Sequence, residues 1–153
     1  MPPRILVVDD DRNIRETLAI HLRNVGYDVA TAADAIEGGY DVLRAPPDLI
    51  IADVRMPYMD GFEFLAALRA DASVAHIPVI ILSSHDDWEE RGRDCGANAH
   101  LTKPIHLDGL LSAVTRQLGE RALTSREPSY LRQASTPEQK FVRLVDVLTD
   151  LDL

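Results

Sequence analysis

A doubly wound α/β fold built on a five-stranded parallel sheet is the architecture this sequence predicts. Three observations carry that expectation. Short apolar runs alternate five times with longer stretches of helical period up to about residue 120. Most of those runs are apolar throughout rather than alternating, as strands covered by helices on both faces are. Acidic, hydroxyl-bearing and basic residues follow the runs, at the end of the sheet where open α/β folds collect their ligands.

The strands are expected at Ile5 to Val8, Asp28 to Ala32, Leu49 to Ala52, Val79 to Leu82 and Ala99 to Thr102. Ile14, Leu18, Leu22 and Val25 recur at helical spacing and mark the first helix, which Gly26 can end in a left-handed conformation. A second helix is expected over Ala35 to Arg44, weakened by Gly38 and Gly39 and stopped by Pro46 and Pro47. The third opens near Gly61 and carries Phe62, Leu65 and Leu68. The fourth, about Trp88 to Cys95, is short and polar, anchored by Trp88 and Cys95. The fifth runs from Leu107 to about Leu123, with Leu110, Leu111, Val114 and Leu118 on one face.

Residues 1–120 thus form one domain, and 121–153 read as a linker and an amphipathic helix. Ser125 to Pro137 is rich in Ser, Thr, Gln and Pro. Thr136-Pro137-Glu138 is a helix start, followed at helical spacing by Phe141, Leu144, Val145, Leu148 and Leu151. So short a segment needs a partner surface: its own domain, a second copy or a further domain.

Composition narrows the function. The 153 residues are 46% hydrophobic, enough for one core, and no apolar run approaches the roughly 20 residues that cross a bilayer. A formal charge of −9 without a Lys/Arg cluster disfavours direct contact with nucleic acid or anionic membrane. The single Cys95, beside Gly96 and Ala97, reads as a packed structural thiol, and a reducing cytoplasm is the expected setting.

Asp9, Asp10 and Asp11 follow the first strand, Asp53 the third, Ser83 and Ser84 the fourth, and Lys103-Pro104 the fifth. Singly, such aspartates are ordinary helix caps, such serines turn formers and such a lysine solvated surface. If the strand order is the flavodoxin-like 2-1-3-4-5, they converge. Carboxylates crowded in an apolar-walled crevice repel one another and imply a cation, and an all-oxygen shell suits Mg²⁺, with Mn²⁺ able to substitute. A carboxylate there can attack phosphorus to give an acyl phosphate, with Lys103 neutralising developing charge and Ser83 donating to a phosphoryl oxygen.

Val7-Val8-Asp9-Asp10, the run Asp53-Val54-Arg55-Met56-Pro57-Tyr58-Met59-Asp60-Gly61, then Leu82-Ser83-Ser84 and Leu101-Thr102-Lys103-Pro104 resemble the bacterial response-regulator receiver (CheY-like) domain, over about residues 4 to 120. The resemblance implies that Asp53 accepts a phosphoryl group from a sensor histidine kinase or phosphotransfer protein. It implies Mg²⁺ held by Asp10, Asp53 and the Arg55 backbone carbonyl, with Asp9 assisting. Lys103, Ser83 and Ser84 would contact phosphate, Ser83 would be the switch hydroxyl, and the bond before Pro104 would be cis. Gly61 would turn the chain into the third helix. Such a protein catalyses only its own phosphorylation and dephosphorylation, and would read out through the surface around the fourth helix, fifth strand and fifth helix. That face, or the C-terminal helix, could pair two copies.

Two departures from the family pattern matter. His100 stands where Tyr or Phe is usual, which makes the switch ring smaller and titratable. Arg55 and His85 occupy the positions flanking the path of hydrolytic water, and are expected to tune dephosphorylation by shielding the acyl phosphate. A phosphatase of the haloacid-dehalogenase type would need an acidic residue at position 55, where Arg55 stands. A phosphorylation-independent interaction module is the remaining alternative, although Asp10, Asp53 and Lys103 are all present.

Overall fold

In the computed structural model, residues 2–119 are described, so the predicted linker and C-terminal helix over 121–153 lie outside the described residues. Ten elements follow in strict alternation: β1 Arg4–Val8, α1 Arg12–Asn24, β2 Asp28–Ala32, α2 Ala35–Arg44, β3 Leu49–Asp53, α3 Gly61–Ala70, β4 Val79–Ser83, α4 His85–Arg91, β5 Ala99–Thr102 and α5 Leu107–Leu118. The strands form one parallel sheet in the order β2-β1-β3-β4-β5, so the chain reverses its winding direction between β1 and β3.

The alternation of side chains along a strand divides the core in two. Ile5, Val7, Leu49, Ile51, Ile80 and Leu82 face α1 and α5, meeting Leu18, Leu22, Leu110, Val114 and Leu118. Leu6, Val8, Ile50, Ala52, Val79 and Ile81 face the other way, meeting Val42 of α2 and Phe64, Leu65 and Leu68 of α3. Every residue of β3 and β4 is buried, which explains why these strands show no polar alternation.

Two helices differ in their bounds from the sequence expectation. The fourth helix begins at His85, not Trp88, because Ser84 caps it by accepting from the Asp87 N–H and Asp86 and Asp87 fill its first turn. It stops at Arg91, short of Cys95, and contributes no buried residue. The fifth helix stops at Leu118 rather than about Leu123, with Gly119 leaving helical geometry at φ 78°.

α3 is started by a reciprocal capping box. The Asp60 carboxylate accepts from the Glu63 N–H at 2.9 Å, and the Glu63 carboxylate accepts from the Asp60 N–H at 3.2 Å. Gly61 is required by close approach: a Cβ there would stand 2.9 Å from the Val54 Cα, and its N–H donates to the Val54 carbonyl at 2.9 Å.

Candidate functional site

β3 and β4 each run one residue beyond the apolar stretch, and the additional residues are Asp53 and Ser83. Both remain in the sheet register, Asp53 opposite Leu82 and Ser83 opposite Thr102, so neighbouring strands fix their backbones. Asp9 directly follows β1, and Lys103 directly follows β5 with its N–H donating to the Ser83 carbonyl at 2.8 Å. The Lys103–Pro104 peptide is cis.

At this edge, carboxylate oxygens of Asp9, Asp10 and Asp53 lie within 4.8 Å of one another. Asp9 and Asp53 are buried, while Asp10 is exposed at the mouth. The Lys103 ammonium stands 2.5 Å from Asp53 Oδ1. Asp9 Oδ1 accepts the Asp11 N–H at 2.9 Å, and Arg15 donates to the Asp9 carbonyl at 2.7 Å. Asp11, the third aspartate of the run, is drawn out of the cluster as the N-cap of α1, accepting from Asn13 and Ile14.

Burial pushes the Asp9 carboxyl up to about 6; the Asp11 N–H opposes the rise, the Asp53 carboxylate adds to it, Lys103 opposes it and Asp10 adds to it. Burial also raises Asp53, against the pull of Lys103 and the Val54 N–H and with a further push from Asp10. The fit of a divalent cation rests on three features. The donors are hard oxygens, two of the carboxylates are held above their ordinary range, and Asp9 Oδ2 is buried with no hydrogen-bond partner among the described residues. Ser83 Oγ is likewise buried without a partner.

The other expected site residues lie around the rim. Ser84 is exposed, and its Oγ already accepts from the Asp87 N–H at 3.1 Å, which leaves only its proton for a phosphate oxygen. His85 is exposed as the first residue of α4. The Arg55 guanidinium is committed to a fork on Asp87, with bonds of 3.1 and 2.9 Å. His100 is half-buried and stacks on the Trp88 ring, centroids 3.8 Å apart and planes within 4°. Its Nε2 lies 3.2 Å from Thr102 Oγ1. Burial, and then the neighbouring His85, lower the His100 pKa, so the stacked ring favours its neutral form.

The sequence reading did not find what holds α4. Arg55 and Asp60, both in the β3–α3 connection, pair with Asp87 and Arg91 of α4; Arg91 reaches Asp60 Oδ2 at 2.5 Å. Burial would raise Asp60, but bonds from Arg91 and the Glu63 N–H outweigh it and hold that carboxyl below its ordinary range. Arg91 also lies over the Phe62 ring at 4.8 Å, and Phe62 packs beside Trp88 with centroids 6.5 Å apart. A Cβ at Gly92 would intrude on the Trp88 ring, so this glycine lets the indole lie flat. Asp60 belongs to the motif after Asp53 and Trp88 is an apolar anchor in the sequence, but their partners Arg91, Phe62 and His100 lie on other elements or several turns away in sequence.

Fold and site together define an α/β signalling domain with an acidic, lysine-paired pocket where the winding reverses. The response regulator receiver domain model matches residues 5–115, and the chain belongs to that family of two-component signalling modules. It is 37% identical over 145 residues to the DNA-binding dual master transcriptional regulator RpaA of Synechocystis, covering 94% of this chain and 59% of that protein. Response regulator MprA of a Mycobacterium species is 41% identical over 114 residues, 73% of this chain and 49% of its own. The chain therefore spans about half the length of these curated relatives. Chemotaxis response regulator CheY4 of Vibrio cholerae superposes with a TM-score of 0.71 at 35% identity, covering 76% of this chain and 99% of its own. The receiver domain of sensor histidine kinase PA1611 of Pseudomonas aeruginosa, with a magnesium ion coordinated in its active-site cleft, gives 0.72 at 28% identity, covering 78% and 99%.

The DNA-binding activity in RpaA's name bears on the expectation of no nucleic-acid contact. The charge argument covers only the residues of this chain, not a longer regulator. No helix among the described residues is long and apolar enough to cross a membrane.

Proposed function

We propose that this domain receives a phosphoryl group on Asp53 from a sensor-kinase or phosphotransfer-protein histidine and thereby resets a partner-binding surface on α4, β5 and α5. The observation that carries this reading is a buried carboxylate at the end of β3, in contact with one lysine and grouped with two further carboxylates. An Asp53 carboxylate oxygen would attack phosphorus in line with the breaking P–N bond. The histidine departs and an acyl phosphate remains. Lys103 already stands where it can follow the charge from the carboxylate to the phosphoryl oxygens. Ser83 Oγ, buried and without a partner, can turn its proton toward one of those oxygens. Ser84 can contribute a second donor while still capping α4.

Asp9, Asp10, Asp53 and the Arg55 carbonyl would hold Mg²⁺, which offsets the crowded negative charge and organises the oxygens around phosphorus when bound. Magnesium coordination in the PA1611 receiver domain supports extending it to this pocket. His100 and Trp88 provide the mechanical link: Ser83 pairs with Thr102 in β5, and His100 of the same strand stacks on Trp88 of α4, so a shift of Ser83 is passed through β5 to that pair. Cytoplasmic residence and pairing of two copies through the α4–β5–α5 face belong to this same reading.

Incubation with a phosphorylated histidine phosphotransfer protein tests the exchange. Radiolabel should move to the wild-type chain within minutes and not to Asp53→Asn. Label retained on the donor, with the acceptor folded, would favour a phosphorylation-independent interaction module.

A further inference from the structure

The helical face of α2 away from the sheet is apolar and open. Ile36, Tyr40 and Leu43 recur at the spacing of one helix face and are 50%, 72% and 51% exposed. Beside them, α3 presents Ala66, Ala67 and Ala70 to solvent, so its backbone can be approached closely. Between the two helices runs a groove of about 320 Å³, reaching from Met59 near the site to Asp71 and Val74 at the far edge. At mid-groove, a Cβ added to Gly39 would meet nothing within 4 Å. Scattered single apolar residues need no explanation, but a continuous stripe beside a groove does.

We propose that this groove seats the chain's own segment 138–151, docked in cis as an amphipathic helix. Phe141, Leu144, Val145, Leu148 and Leu151 form a stripe of the same helical spacing as Ile36, Tyr40 and Leu43. Reach permits it. α5 runs back from the carboxyl edge of the sheet, so Leu118 lies at the amino edge, where α2 and α3 also end. Residues 120–137 then connect Gly119 to the stripe. A coil of that length would span about 24 Å on average. Crossing from one helix layer to the other needs roughly 20 Å.

Entry at that edge also sets polarity. The first turns of the segment, with Lys140 and Arg143, meet the end of the groove that carries the exposed Asp71 carboxylate. The segment then runs antiparallel to α2 and α3 toward Met59. Tethering favours this occupant over a second copy, because a connection of that length supplies an effective concentration of about 1 mM, well above micromolar protein.

Disulfide trapping in the full chain tests the seat. In a Cys95→Ser background, Ala67→Cys with Leu148→Cys should close within one chain in a glutathione buffer. Its effective concentration should exceed that of Ser112→Cys on α5 with Leu148→Cys by about tenfold or more. Adding Tyr40→Glu, an exposed position, should lower it to the control value. Equal values for the two pairs would overturn the proposal, and disulfides formed only between chains would assign the groove to a second copy. In the chain without added cysteines, Leu148→Ser should shift the NMR methyl signals of Ile36 and Leu43, and unmoved signals would also overturn it. None of these readouts depends on phosphorylation, so they stand or fall apart from the proposed function.

Discussion

Asp9, in the candidate site, costs the fold stability. Its carboxyl is fully buried and pushed from 3.8 to about 6, a rise that corresponds to about 3 kcal/mol. The folded form keeps its proton between those values and the unfolded chain does not. The stability Asp9 contributes is therefore full below about 3.8 and is lost as pH rises through about 6. In chelator at pH 7, Asp9→Asn should raise urea-unfolding stability by about 1–3 kcal/mol, and the two proteins should converge near pH 4. A variant no more stable at pH 7 would mean that the carboxylate is relieved by something other than a cation. Arg55 and His85 make a separate prediction. With acyl phosphate formed, Arg55→Ala with His85→Ala should speed its loss by about threefold or more, an effect of at least about 0.6 kcal/mol on the barrier. Since Arg55 is forked to Asp87, the single Asp87→Ala change should alter the decay rate as well.

At the scale of elements, α4 differs from the other helices among the described residues. It buries no residue and is attached through two arginine–carboxylate pairs and a row of rings. Exposed pairs of this kind contribute about 0.2–1 kcal/mol each, so Asp87→Ala with Arg91→Ala should lower global stability by under about 2 kcal/mol. Amide exchange in α4 should nevertheless accelerate by about threefold to tenfold while β1 and β3 stay protected. Unchanged exchange in α4 would show that the rings alone hold it. The start of α3 is the opposite case. Its glycine touches backbone that cannot retreat, because Asp53 and Val54 are tied to β4 through the sheet and the Val54 N–H. Gly61→Ala should cost about 1–3 kcal/mol in urea unfolding, and an isoenergetic variant would mean that the β3–α3 turn is free to shift.

Over the molecule as a whole, legibility followed burial. β3 and β4 are buried along their full length, and continuous apolar runs announced them. Asp53 and Ser83 each read singly as an ordinary cap or turn residue, and became site candidates only together with Asp9, Asp10 and Lys103 at the ends of the other runs. α4 was misplaced because a helix that buries nothing carries no apolar period, and its Ser84 cap resembled an ordinary loop serine. Its ties to Asp60, Phe62 and His100 connect residues distant in sequence, so only the assembled sheet brings them together. No run of residues fixes strand order; the order 2-1-3-4-5 was the one under which the polar residues converge, and the structure shows that order.

Asp53 is proposed to accept a phosphoryl group with the help of a divalent cation held beside it. Intact-mass spectrometry after incubation with acetyl phosphate reads that chemistry. With Mg²⁺ the wild-type chain should gain one phosphoryl group, and neither the chelated protein nor Asp53→Asn should gain any. No gain in a folded, Mg²⁺-loaded wild-type chain, or an equal gain in Asp53→Asn, would contradict the account.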